Sequence, residues 1–120
     1  MDKACVDKAW SSQLKKGLVE LTALAALRSG EAYGYQLLRR LAGNPRLSTS
    51  ESTLYPVLAR LADEKLVSVR QAPSPSGPPR RYYKLTASGR EHLEQLSRYW
   101  RQMSRDVDQL LDSPSTGDNP

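Results

Sequence analysis

The 120-residue chain contains one cysteine and one histidine. A lone Cys5 cannot close an internal disulfide, and with His92 as the single imidazole there is no ligand cluster for a structural metal. Thiol redox chemistry, metal sites and other cofactors are therefore not expected. Cys5 reads as a free thiol near the terminus, and His92, within REHLEQL, as a residue on a solvated helix face. Long apolar runs are missing too. No stretch approaches the roughly 18 uncharged apolar residues of a membrane span, and the opening MDKACVDKAW lacks the basic-then-apolar order of a signal peptide. A soluble cytoplasmic protein with no membrane partner is expected. No paired nucleophile and base and no phosphate-cradling glycine loop is visible, so no enzymatic activity is expected either.

What the chain does have is basic charge, and it is unevenly placed. The net charge is +5. Residues 13–90 hold 13 lysines and arginines against 5 acids, a balance of +8, whereas the two ends together hold 5 against 8, a balance of −3. Such a segment is the electrostatic footprint of a nucleic-acid binder, though a solvated basic face would also produce it. At this length one small domain is expected, with a modest core that partner chains often complete.

Apolar periodicity predicts a first helix from about Ala4 to Arg28, with Trp10, Leu14, Leu18, Leu21 and Ala25 three or four apart and Gly30 as its stop. AYGYQLLRRLAG predicts a short second helix, with Tyr35, Leu38 and Leu41 on one side. LSTSESTLYPVLARLADEKL predicts a third, with Ser48, Thr49 and Ser50 as cap candidates and Leu54, Val57, Leu58 and Leu61 on one face. Leu66–Gln71 and Arg81–Thr86 suit strands. Between them APSPSGPP, with four prolines and a glycine, predicts a stiff extended loop. From Ala87 to Leu111, the residues Leu93, Leu96, Trp100, Met103, Val107 and Leu110 are spaced 3, 4, 3, 4 and 3, which is a heptad seam. The final DSPSTGDNP has no apolar residue and is expected to be disordered.

The third helix poses a question, because Pro56 stands inside it. An interior proline removes a hydrogen bond and crowds the preceding turn, at a cost of about 3 kcal/mol. If the helix starts at Ser50, Pro56 frees the Ser52 carbonyl; if regular helix starts near Thr53, Pro56 falls in the first turn and little is lost.

Three helices, a hairpin and a long helix, with about six residues between the second and third, make a mainly α chain with a small β-hairpin. This is a winged helix-turn-helix followed by a dimerisation helix. The expected divisions are 4–90 for the DNA-binding domain, 87–111 for the dimerisation helix and 112–120 for the tail. In this architecture the third helix enters the major groove of double-stranded DNA and the wing reaches neighbouring backbone.

The strings LTALAALRSGEAYGYQLLRRL, STLYPVLARLADEKLV and PRRYYKLTASGREHL, in this order and spacing over roughly residues 14–90, resemble the PadR family of bacterial transcriptional regulators, and its compact branch in particular. The chain departs from the family where Ser52 and Lys65 stand at positions commonly glycine, and in its proline-rich wing tip. The resemblance implies a homodimeric repressor of transcription, binding an inverted-repeat operator. It also implies an aromatic small-molecule effector between tryptophans at the dimer interface.

Taken with the residue chemistry, it makes Ser50, Ser52, Thr53 and Tyr55, at the start of the third helix, candidates for base or phosphate contact. Arg60 lies one turn further on. Tyr33 and Gln36 are backbone candidates, with Tyr35 expected to pack inward. In the wing, Arg70 joins Arg80 and Lys84. Strand parity puts Arg81 with Tyr83 and Leu85 on the inner face, which leaves Arg80 and Lys84 outside. Trp10, Leu14, Leu93, Leu96, Trp100, Met103, Val107 and Leu110 are the candidates for the dimer interface or effector site, with ordinary packing the simpler reading of both tryptophans. An interaction module that docks a protein partner on the same scaffold is the alternative function.

Overall fold

A computed structural model describes residues 7–115. The expected helix start at Ala4, Cys5 and residues 116–120 of the expected tail lie outside that range. Helix α1 spans Lys8–Ala26 and is capped by Asp7, whose side chain accepts a hydrogen bond from the Ala9 N–H at 3.1 Å. Its buried line is Val19, Ala23 and Leu24, continued by Leu27 in a short 3-10 turn that ends at Gly30, where φ is +126°. The expected stripe is thereby corrected at its N-terminal end. The core gathers only against the second half of α1, so Trp10 and Leu14 are exposed.

Ala32–Tyr33 forms strand β1, which the sequence reading missed, and helix α2 is Gly34–Ala42. Leu37 and Leu41, one turn apart, are buried, whereas Tyr35 is 54% exposed. The expectation that Tyr35 packs inward was therefore wrong. Two residues before Leu37 on a helix is about 200° around the axis, on the opposite face.

After a 3-10 turn at Pro45–Leu47 comes α3, Glu51–Asp63, which buries Leu54, Leu58 and Leu61. Ser50 holds the cap position without a cap bond from its side chain; its hydroxyl lies instead 3.0 Å from that of Ser52 and 3.2 Å from that of Thr53. Pro56 is the sixth residue of this helix, so the exposed Ser52 carbonyl lacks the N–H four residues on. The far end of α3 closes with two paired bonds, Leu66 N–H to the Leu61 carbonyl at 2.9 Å and Lys65 N–H to the Ala62 carbonyl at 3.0 Å. This is a Schellman motif, and it needs a left-handed residue where Lys65 stands at φ +65°.

Strands β2, Val67–Ala72, and β3, Arg80–Leu85, form the wing. The sheet order is β1-β3-β2, all antiparallel, with Tyr82 opposite both Arg70 and Tyr33. Tyr83 and Leu85 are buried, and Lys84 is exposed on the other face. Helix α4, Ala87–Asp112, starts on a compact junction. The Thr86 hydroxyl accepts from the Gly89 N–H at 3.0 Å and donates to the Lys65 carbonyl at 2.7 Å, which ties the start of α4 to the end of α3.

Leu24, Leu37, Leu54, Leu58 and Leu61 are fully buried at the centre of the core, with Tyr83, Leu85 and Leu93 packed around them. Burying each such leucine contributes about 1.5–3 kcal/mol, so α1, α2, α3, the sheet and the root of α4 fold as one body.

Candidate nucleic-acid interface

With Leu54, Leu58 and Leu61 facing inward, helical geometry turns Ser52, Tyr55, Pro56 and Ala59 outward as an exposed strip of α3. A groove runs beside it, lined by Tyr55 and Ala59 of α3, Tyr33 and Tyr35 at the start of α2, and Arg80 and Arg81 of the wing. The structure thus brings the candidates Tyr33, Tyr55 and Arg80 together. The groove also includes Tyr35 and Arg81, which the sequence reading had directed inward. Arg81 does share the face of Tyr83, but it lies at the strand start, beyond the edge of the core, and is exposed.

Glycine is required at one point of this groove. A Cβ on Gly34 would lie 2.8 Å from the Tyr55 ring, so the absent side chain is what lets Tyr55 lie across the start of α2. Burial, and secondarily the charge of Glu51, raises the Tyr55 hydroxyl above its ordinary value. Arg80 stacks over the Tyr33 ring at 4.3 Å, and Tyr33 meets Tyr82 edge to face at 5.4 Å between centroids. Arg70 stacks on Tyr82 at 4.6 Å. Two adjoining rings are therefore flanked by two guanidinium groups across the outer face of the wing, and each cation–ring pair is favourable by about 0.5–1 kcal/mol when exposed.

Three other candidates have partners within the protein. Gln36 accepts from the Tyr33 N–H at 3.1 Å and so closes the start of α2. Arg70 makes a two-pronged pair with Glu31, Nε to Oε2 at 2.7 Å and Nη2 to Oε1 at 2.8 Å. Arg60 reaches Glu20 of α1 at 2.8 Å and Glu64 at 3.4 Å. The second carboxylate oxygen of Glu20 lies 2.8 Å from His92 Nε2. His92 is thus half-buried at a junction of three helices, which corrects its expected place on a solvated face. Burial opposes ionisation of Glu20, yet the hydrogen bonds from His92 and Arg60 prevail and hold its carboxyl below the ordinary range. Glu20 and Glu31 were invisible to periodicity, because each is paired with a residue about 40 positions away.

A second polar groove, missed from sequence, lies between α1 and the lead-in to α3, where Lys15 and Lys16 face Ser48, Thr49, Ser50 and Thr53. Away from these surfaces, the heptad seam divides. Leu93 is buried in the core and Leu96 packs against it, which removes both from the candidates for an open interface. Trp100, Met103, Val107 and Leu110 remain exposed beyond them. Trp100 and Met103 border a groove against Leu18 and Leu21 of α1, and Trp10 and Leu14 border another against Pro45 and Leu47. No helix among the described residues is long and apolar enough to cross a membrane.

Helices α2 and α3, joined by one short turn, with a sheet-borne wing beside them and a long helix behind, define a winged helix-turn-helix protein with an added C-terminal helix. The model of the PadR-like transcriptional regulator family matches residues 23–95, and the chain belongs to that family. A PadR-like transcription factor from Bacteroides fragilis is 35% identical, with 86% of this chain and 99% of that one covered and a TM-score of 0.69. A PadR-like regulator from Bacillus cereus is also 35% identical, over 85% of this chain and 99% of that one, at 0.73. A PadR family regulator from Eggerthella lenta, 29% identical over 88% and 92%, superposes at 0.79.

Proposed function

We propose that the protein is a DNA-binding transcriptional repressor that acts as a homodimer on an inverted-repeat operator. The observation that carries the reading is the exposed α3 strip of Ser52, Tyr55, Pro56 and Ala59, bordered by Arg80 and Arg81 of the wing. A helix fits the major groove, hydroxyls at its N-terminal end donate to bases or phosphates, and the wing arginines meet adjacent backbone. Tyr33, Ser50, Ser52, Thr53, Tyr55, Arg80 and Lys84 are the proposed contacts.

Dimerisation is supported by the distal half of α4, where Trp100, Met103, Val107 and Leu110 lie exposed at heptad spacing. Two-fold pairing along it would place two α3 helices on half-sites about 34 Å apart. Trp10 and Trp100 border the two apolar grooves on α1, and a flat aromatic effector held there would shift the dimer toward a spacing that no longer matches the operator.

Selection from a randomised DNA pool by the purified protein tests the reading. Recovery of inverted repeats is the expected result, and recovery of no enriched sequence would overturn it. The alternative, docking of a protein partner, predicts no steep salt dependence of DNA binding.

A further inference from the structure

Arg70 carries one of the four positive charges of the wing strands, yet among the described residues it is the one already held by a carboxylate. Glu31 is rigidly placed for this. It follows Gly30, whose φ of +126° turns the chain, and Arg40 fastens the same turn by donating to the carbonyls of Ala26 at 2.9 Å, Gly30 at 3.0 Å and Glu31 at 3.4 Å. On the other side Arg70 lies over the Tyr82 ring, 4.6 Å from its centroid. The fork-to-fork pair of 2.7 and 2.8 Å that results has the geometry with which an arginine would grip a phosphate. Arg80, by contrast, is stacked on a neutral ring.

We propose that Glu31 is a specificity-determining residue, a built-in phosphate mimic that occupies Arg70 and keeps it from adding sequence-independent grip on the DNA backbone. The inference rests on the DNA-binding reading above. Backbone contacts strengthen binding to every sequence alike, so a regulator that must find one site gains discrimination by silencing some of them. Lys84, exposed on the same face, also holds the Glu31 carboxyl in its ionised form, though less than Arg70 does.

The test is the salt dependence of binding to a duplex of random sequence, followed by fluorescence anisotropy for the wild type, Glu31→Gln and Glu31→Gln/Arg70→Ala. Each phosphate neutralised adds about −0.9 to the slope of log affinity against log salt. Glu31→Gln should steepen the slope by about that amount, so that its advantage over the wild type shrinks about three- to fourfold between 50 and 200 mM salt. The double variant should return to the wild-type slope. An unchanged slope in Glu31→Gln, a steeper slope that survives in the double variant, or a Glu31→Gln chain unfolded at assay temperature would each overturn the proposal; the last would make the pair a structural clip. A wild type that binds no duplex at any salt would overturn the DNA-binding reading itself and this inference with it.

Discussion

The carboxylate of Glu20 on α1 takes Arg60 of α3 on one oxygen at 2.8 Å, and its other oxygen is left for His92 of α4. One acid thus joins the exposed helix of the candidate interface to the helix proposed to dimerise. Because the folded protein holds this carboxyl below its ordinary value of 4.5, the stabilisation it brings is complete above that pH and is lost as pH falls through the lowered value. Glu20→Gln should cost about 1 kcal/mol at neutral pH, the scale of a partly exposed ion pair, and should flatten the loss of stability below pH 4.5. Urea unfolding at a series of pH values measures both; an acid limb identical to the wild type's would assign the pH dependence elsewhere.

Gly34→Ala separates stability from binding. The new methyl group meets only the outer end of the Tyr55 ring, which can swing into solvent, so unfolding free energy should change by no more than about 0.5 kcal/mol. DNA affinity should nevertheless fall, because Tyr55 leaves the start of α2. A thermal melt and a binding titration on the same preparation give the comparison.

Gly89→Ala should do the reverse. A Cβ there would run into the Leu66 carbonyl, which is backbone and is already engaged by the Thr86 N–H at 3.2 Å. The junction of α3, the wing and α4 must open to admit it. A loss of about 2–3 kcal/mol is expected, readable as a lower denaturant midpoint.

Lys65→Gly should stabilise the protein. Lysine pays a steric penalty at φ +65° that glycine does not, and the gain is partly offset by the freer unfolded chain. A net gain of about 0.5 kcal/mol is expected, with the two bonds of the Schellman motif intact. A fall in melting temperature would mean that the lysine side chain contributes something else.

Val107→Asp tests the proposed dimer. Val107 is 48% exposed on the protomer, so the substitution costs the isolated chain little, while a charge in a paired seam is strongly unfavourable. Sedimentation at micromolar concentration should give a dimer mass for the wild type and a monomer mass for the variant.

The helices and wing strands were legible because their signals are local. Apolar spacing marked α1, α2, α3 and α4, and alternation marked β2 and β3 to within a residue or two. Strand β1 escaped because two residues carry no period; it exists only because Ala32 and Tyr33 pair with Tyr83 and Tyr82 of β3. Tyr35 was assigned to the wrong side because a nine-residue helix offers two overlapping apolar lines, through Leu38 or through Leu37, and only the tertiary core chooses between them. The hydroxyl-rich lead-in to α3 was legible as a candidate contact, whereas Glu20 and Glu31 were not. Their meaning depends on which arginine the fold delivers to them. Lys65 was visible as a departure from a glycine position, and its positive φ gives the physical reason that glycine suits that place.

Helix α4 has 26 residues and is therefore about 39 Å long, yet it is rooted in the core only through its N-terminal half, at Gly89, Leu93 and Leu96. It is a lever arm. A pivot of about 5° at the Thr86 junction moves its far end by about 3.4 Å, the rise of one base pair. In a dimer joined along the distal turns, movements at that joint too small to disturb the core would be magnified into a change of register between the two α3 helices.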